Sequence, residues 1–416
     1  MRASDFRLAL SPSNPTAVRA SASVHFENPR WPAETWWMEV PRAHRDQVCL
    51  TGEPWMVMLL PLAFSLGEPI DLALPVESKF LNSLQRVMAI WSSWYPQFRP
   101  IALAAPTAAE ERAKPGRLVG AFFSGGVDST YSVIHHDQQS TSRVEELIFV
   151  RGFDIHLSKD AALAAAEDRV RRMAAKLGKP LITIATNLRD TRLREANWEK
   201  MAHATVLAAL GLMLSRRYRQ VLIGSAVPAD MKRPLGSHPA VYPNLSTRST
   251  EIALDAADTT RSTKIAALCK RPDLLDDLRV CWEAEAGDNC GRCAKCLYTM
   301  ATLEIHGALA NSGAFPDTQL DHGRLRSTFN GRKDYYFEDV RDAARGLGRT
   351  DVADSLEAAI AMSNRLRRWL LLDLVTPLFE RLRFNPALRR LTGPLRPIVW
   401  HSLRRLARVL GSLCGR

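Results

Sequence analysis

The 416-residue chain is 46% hydrophobic and 24% charged, a balance with enough apolar side chains for a sizeable core. This excludes a wholly disordered chain, a collagen and a small disulfide-stapled scaffold, and the length predicts roughly two or three domains. The net charge of +12 is concentrated at one end: residues 363–416 carry twelve arginines against Asp373 and Glu380, so the body is nearly neutral. No run reaches about 18 uninterrupted apolar residues, and the opening MRASDFRLALSPSNP lacks the apolar stretch of a secretory signal, which predicts a cytoplasmic protein.

Residues 1–112 are rich in Trp and Pro, with short apolar runs such as 55–60 between turn signals, and read as an α+β domain. Six of the ten tryptophans fall here: Trp31, Trp36, Trp37, Trp55, Trp91 and Trp94. Large rings fill the core of a small domain, and the alternative is an aromatic surface for a substrate or carrier protein.

Residues 113–312 alternate strand-like and helix-like segments. Strands are expected at 118–123, 146–150, 181–185 and 221–224, with helices opening at 129 and running over 160–177 and 199–217. That alternation predicts an α/β fold, a parallel sheet flanked by helices with right-handed crossovers. Ligands in such sheets sit beyond the carboxyl ends of the strands.

Directly after the first of these strands comes Ser124-Gly125-Gly126-Val127-Asp128-Ser129. Two adjacent glycines let the backbone turn sharply and converge several N–H groups, and the following helix adds free N-terminal donors. Ser124 and Ser129 can donate to phosphate oxygens, whereas Asp128 is better placed beside a Mg²⁺ that phosphate also binds. No Gly-Lys-Ser/Thr follows, so this is not a Walker A loop.

The motif resembles the signature of the PP-loop ATP pyrophosphatases, the adenine nucleotide alpha-hydrolase-like proteins. The resemblance implies ATP with its β,γ-phosphates in the loop, transfer of AMP to a substrate oxygen with release of pyrophosphate, and displacement of AMP by a nucleophile. It also implies roles further along the chain. Gly152-Phe153-Asp154 would meet adenine, or is a turn; Gly224-Ser225 would flank the nucleotide. Lys264 would neutralise charge near the α-phosphate, or is an exposed helix lysine. His238, in the loop Gly236-Ser237-His238-Pro239, would touch substrate or move a proton, or is a turn histidine.

Cys281, Cys290, Cys293 and Cys296 fall within sixteen positions, while Cys49, Cys269 and Cys414 are scattered. Without an export signal, such clustering points to metal rather than disulfides. Two overlapping Cys-x2-Cys steps and a fourth thiolate suit structural Zn²⁺, with an iron–sulfur cluster or a persulfide carrier as alternatives. A Cys-x8-Cys-Gly-x-Cys-x2-Cys pattern after a PP-loop domain is similar to 7-cyano-7-deazaguanine synthase. That resemblance, over about residues 117–306, implies ATP, Mg²⁺ and Zn²⁺ and an amide- or nitrile-forming ligase. After Cys296 the chain reads Leu-Tyr-Thr-Met, without the arginine usual in those enzymes, and only Phe153-Asp154 matches their segment after the second strand.

Three functions are therefore expected in order. The first is adenylation of an acceptor, small molecule or carrier-bound, followed by attack of nitrogen. No glutaminase motif is present, so ammonia is free or comes from a supplying partner. The second is a tRNA-thiolating sulfurtransferase, for which Cys269 is the candidate thiol. The third is a non-catalytic nucleotide-binding protein recruited to membranes. Residues 313–416 are expected to be helical. In the Arg-rich tail, Arg404, Arg405 and Arg408 interleave with Leu403, Leu406 and Leu410 as a basic amphipathic helix. It would lie on an anionic membrane surface or pack on the body; nucleic acid ranks below both.

Overall fold

Short apolar runs interleaved with helical segments form ten strands, described here from a computed structural model covering residues 1–108, 116–138, 142–226, 234–281, 283, 287–331 and 334–369. The strands are β1 (Arg2–Leu10), β2 (Ala17–His25), β3 (Glu34–Pro41), β4 (Ile70–Leu72), β5 (Leu103–Ala104), β6 (Leu118–Phe122), β7 (Glu146–Arg151), β8 (Leu181–Thr186), β9 (Tyr218–Gly224) and β10 (Glu251–Asp255). They make one mostly parallel sheet in the order β10-β9-β6-β7-β8-β3-β2-β1-β4-β5. The block from β10 to β8 is wholly parallel, and its inner strands read as continuous buried runs, as strands covered on both faces do. β2, in contrast, alternates buried and half-buried residues.

The first 112 residues do not form a separate sheet. β3 runs antiparallel to β8, pairing Met38 with Thr186 and Glu39 with Ala185. Side chains extend the seam: the Thr186 hydroxyl donates to the Trp37 carbonyl (2.7 Å), and the Asn187 amide accepts from Trp37 N (2.9 Å) and donates to the Thr35 carbonyl (2.8 Å). The chain accordingly divides into two compact units, Met1–Asp258 and Thr259–Arg416, rather than near residues 112 and 312.

In the first unit, α1 (Gly52–Leu66) and α5 (His203–Met213) are apolar on all sides, buried along nearly their whole lengths, and packed against each other. Trp36, Trp55 and Trp91 are completely buried. Trp31, Trp37 and Trp94 are not; Arg192 lies over Trp31, Arg19 over Trp37, and His238 meets the Trp94 ring edge-on. The remaining helices are α2 (Ser78–Trp94), α3 (Val127–Asp137) and α4 (Asp160–Lys176). The long helix expected over 199–217 is shorter: a π-helical turn, Trp198–Ala202, precedes α5, and the chain re-enters the sheet at Tyr218.

The described part of the second unit is helical, comprising α6 (Arg261–Cys269), α7 (Pro272–Leu275), α8 (Ala294–Ile305), α9 (His322–Arg326), α10 (Asp334–Gly346) and α11 (Thr350–Trp369). The Asp339 carboxylate of α10 receives the Ser262 N–H (2.8 Å) and hydroxyl (2.6 Å), capping α6 from outside. Among the described residues, no helix is long and apolar enough to cross a membrane. The amphipathic segment expected around 398–410 lies outside the described residues.

At the amino ends of the parallel strands, Glu146 is buried and takes both Arg217 Nη2 and Nε at 2.5 Å, together with the Tyr218 hydroxyl. This bond to Glu146 raises the Arg217 pKa above its ordinary value. Removing one partner of such a pair strands the other charge. Glu146→Ala is expected to lower unfolding stability by about 3 kcal/mol, read by urea denaturation; a loss under about 1 kcal/mol would show that the cluster is solvated.

Candidate functional site

Strand order reverses beside β6. The chain passes from β6 to β7 and β8 on one side, then returns to place β9 and β10 on the other; in parallel sheets ligands bind beyond the carboxyl ends of the strands at such a point. The Ser124–Ser129 motif lies at that point. Phe123 N still donates to the Ile148 carbonyl (2.8 Å), so the backbone is pinned to β7 up to the start of the loop.

Ser124, Gly125 and Gly126 then turn the chain into α3. Gly125 has φ +70°, in the left-handed region that disfavours any side chain, and Gly126 is the residue before the helix. The Ser129 hydroxyl braces the loop from within: it accepts from Ser124 N (3.3 Å) and donates to the Gly126 carbonyl (3.2 Å). Its proton is therefore spent inside the loop rather than offered outward. The N–H groups of Gly125, Gly126 and Val127 donate to no acceptor among the described residues. Amides without internal acceptors at a helix start, with the positive end of the helix dipole behind them, are of the kind that attracts anions. Asp128 sits in the first turn of α3.

Gly224 closes β9 against this turn. A Cβ there would come within 2.8 Å of the Asp128 carbonyl carbon and oxygen, and 3.1 Å of Ser129 N. Ser225 is fully buried, and its N–H donates to the Asp255 carbonyl at the end of β10 (2.9 Å). Gly224 thus lies against the loop, and Ser225 is joined to the end of β10.

Gly152-Phe153-Asp154 follows β7 at the same edge of the sheet. Gly152 has φ +78°, and a Cβ on it would meet the Thr186 carbonyl at 2.1 Å. Phe153 is buried against Trp198 (4.9 Å) and His203 (5.1 Å), and Arg189 lies over Trp198 (4.1 Å). Burial lowers the Arg189 pKa, partly offset by the charge of Asp154. Sequence reasoning missed Trp198 and His203: His203 reads as an ordinary member of the apolar helix expected over 199–217, and Trp198 falls just before it.

His238 packs edge-to-face on Trp94 (4.8 Å), and its Nδ1 accepts from Ala240 N (3.1 Å). Burial lowers its pKa, so the ring is neutral and stabilises its own turn. Lys264 lies on α6 in the second unit and is 1% exposed, which is not the exposed helix lysine of the alternative reading.

The four cysteines converge in the second unit. Their sulfurs all lie within 4.8 Å of one another, with Cys281–Cys293 and Cys290–Cys296 both at 3.9 Å. Tetrahedral zinc with Zn–S bonds of about 2.3 Å requires sulfurs about 3.8 Å apart, so the cluster could hold a metal such as zinc. Amides already point at the sulfurs: Glu283 N to Cys281 (3.3 Å), Cys293 N to Cys290 (3.3 Å) and Cys296 N to Cys293 (3.4 Å). Behind them, buried Asn289 accepts from Val280 N and Cys281 N and donates to the carbonyls of Leu278 and Ala314, fixing the position of Cys281.

No protein-family model matches the chain, and neither a curated protein nor a solved structure matches it.

Gly224→Ala is expected to lower stability by about 1–3 kcal/mol, because its methyl meets backbone rather than a flexible side chain; a change within about 0.5 kcal/mol would mean the turn has room to give. Asn289→Ala is expected to weaken zinc retention about 10–100-fold in a chelator competition, with the four thiols intact.

Proposed function

We propose that the chain is an ATP-dependent, AMP-forming enzyme of PP-loop type that adenylates an acceptor oxygen and then joins nitrogen to the activated carbon. The observation that carries this reading is the loop's place: three amides without internal acceptors, at a helix start, where the parallel sheet reverses its order. The parallel order β8-β7-β6-β9-β10, with the loop directly after β6, supports this reading, because ligands of such sheets sit where the strand order reverses.

In this reading the amides of Gly125, Gly126 and Val127 hold the β,γ-phosphates, and the Ser129 brace keeps the loop in its receiving shape. Asp128 would hold a Mg²⁺, which supplies charge neutralisation on the phosphates. The acceptor oxygen attacks the α-phosphorus, forming a P–O bond as the bond to pyrophosphate breaks. A nitrogen lone pair then attacks the acceptor carbon, AMP leaves with the bonding electrons, and the nitrogen loses a proton. The chain's contribution is placement and preorganised charge stabilisation. The four cysteines, with all sulfurs facing one point, suit a structural zinc with no open position.

Sulfur transfer is disfavoured by the state of its candidate thiol. Burial pushes Cys269 up to about 11, which leaves little thiolate at neutral pH.

With ATP and Mg²⁺, calorimetry is expected to show nucleotide uptake, and a metabolite extract to elicit pyrophosphate. Asp128→Ala should abolish pyrophosphate release while zinc content and the far-UV spectrum stay unchanged; full turnover in that variant would remove the assigned role. Cys269→Ser is expected to leave turnover within about twofold, and a complete loss would restore the sulfur-transfer reading.

A further inference from the structure

Asp128, Ser132 and His136 follow one another at four-residue spacing and share one face of α3. Asp128 opens the helix at the glycine loop, and His136 is buried near its far end. His136 Nε2 lies 2.7 Å from Asp255 Oδ1, and Nδ1 lies 2.7 Å from the Ser142 carbonyl oxygen and 3.0 Å from the Ser142 hydroxyl. With its one N–H on Nε2, a neutral imidazole keeps the bond to Asp255 and can accept from the Ser142 hydroxyl, but it donates to the carboxylate alone and not to the Ser142 carbonyl. Only the imidazolium donates to both.

Asp255 connects this contact to the loop. It is the last residue of β10 and pairs with Gly224, and its carbonyl accepts from Ser225 N. Gly224 is the residue pressed against the Asp128–Ser129 backbone. The strand ends that abut the first turn of α3 are thus tied, through Asp255, to its last turn. Midway, the Ser132 hydroxyl donates to the Asp128 carbonyl (3.1 Å).

We infer that His136 is a positioning residue for the loop: as the imidazolium it holds α3 on the ends of β9 and β10 through a charge-assisted bond, and on losing its proton it keeps only a neutral bond there, which loosens the helix and weakens nucleotide binding. The functional half rests on the ATP reading proposed above; the mechanical half does not.

The charged groups around the ring are Asp255 on β10, and His135 and Asp137 on α3. Lys179 Nζ holds Asp137 at 2.6 Å. The hydrogen bond to Asp255 raises the His136 pKa despite burial, and burial pushes Asp255 up while the hydrogen bond from His136 holds it below its usual range. A histidine whose folded pKa is raised contributes fully below its unfolded value near 6.5 and loses that contribution as pH rises through the folded value. The latch therefore opens on the alkaline side.

The test is MgATP titration by calorimetry from about pH 7 upward, where the nucleotide's phosphates no longer change charge, alongside hydrogen exchange of α3 without nucleotide. The wild-type Kd is expected to rise at least about fivefold along the alkaline limb, with α3 exchange accelerating over the same range. Asp255→Asn should move both midpoints to lower pH, which a merely structural bond would not do. His136→Gln, should Asp255→Asn fail to fold, is expected to give weak binding with no alkaline limb. A pH-independent wild-type Kd, or a midpoint unmoved by Asp255→Asn, would overturn the inference. If MgATP binds at no pH, the nucleotide reading falls by itself; α3 exchange then decides the latch, and a flat profile sinks it.

Discussion

Almost everything at the carboxyl edge of the sheet depends on one close approach, that of the Gly224 backbone to the peptide joining Asp128 and Ser129. The approach exists because strand order reverses beside β6, which leaves β9 as the neighbour against which the first helix turn must rest. Gly125 supplies the left-handed turn, the Ser129 hydroxyl closes the loop, and the absence of a side chain at 224 lets strand and helix meet. The result is a set of amides fixed by the fold before any ligand arrives, the condition for electrostatic stabilisation without reorganisation.

Local patterns were the most legible in the sequence. The strands β6, β7, β8 and β9 are short apolar runs bounded by turn residues, and α4 ends where Gly178 and Pro180 stop it. The loop motif and the four thiols are compact in sequence, so their convergence could be expected from spacing alone. Illegible features were those made by distant pairing. β3 meets β8 through two residue pairs, too few to leave a pattern in either strand. β10 is short, and only Ile252 in it is buried, so no alternation marks it. His136 and Asp255 are 119 positions apart, and neither residue type announces a partner at that distance.

The aromatic group of Phe153, Trp198 and His203 was hidden for a different reason. A π-helical turn at 198–202 inserts an extra residue per turn and rotates the side chains out of the register a regular helix would give. Periodicity read from sequence assumes constant rotation per residue, so it does not bring Trp198, which precedes the expected helix, onto the same face as His203. Conversely, His238 drew attention as a titratable side chain in an irregular loop, yet its nitrogen is committed to its own turn.

The seam between β3 and β8 has a consequence for how the chain behaves when shortened. Without the first three strands, β8 would be the border of a five-stranded parallel block, with the backbone donors and acceptors of one side bare along an apolar strand. Such borders recruit other chains. The amino-terminal segment thus acts as a permanent cover, and the Asn187 amide, which takes two backbone partners on β3, is its clasp. A fragment trimmed to the parallel block alone would self-associate, and the insolubility would reflect an uncovered border rather than a core unable to fold.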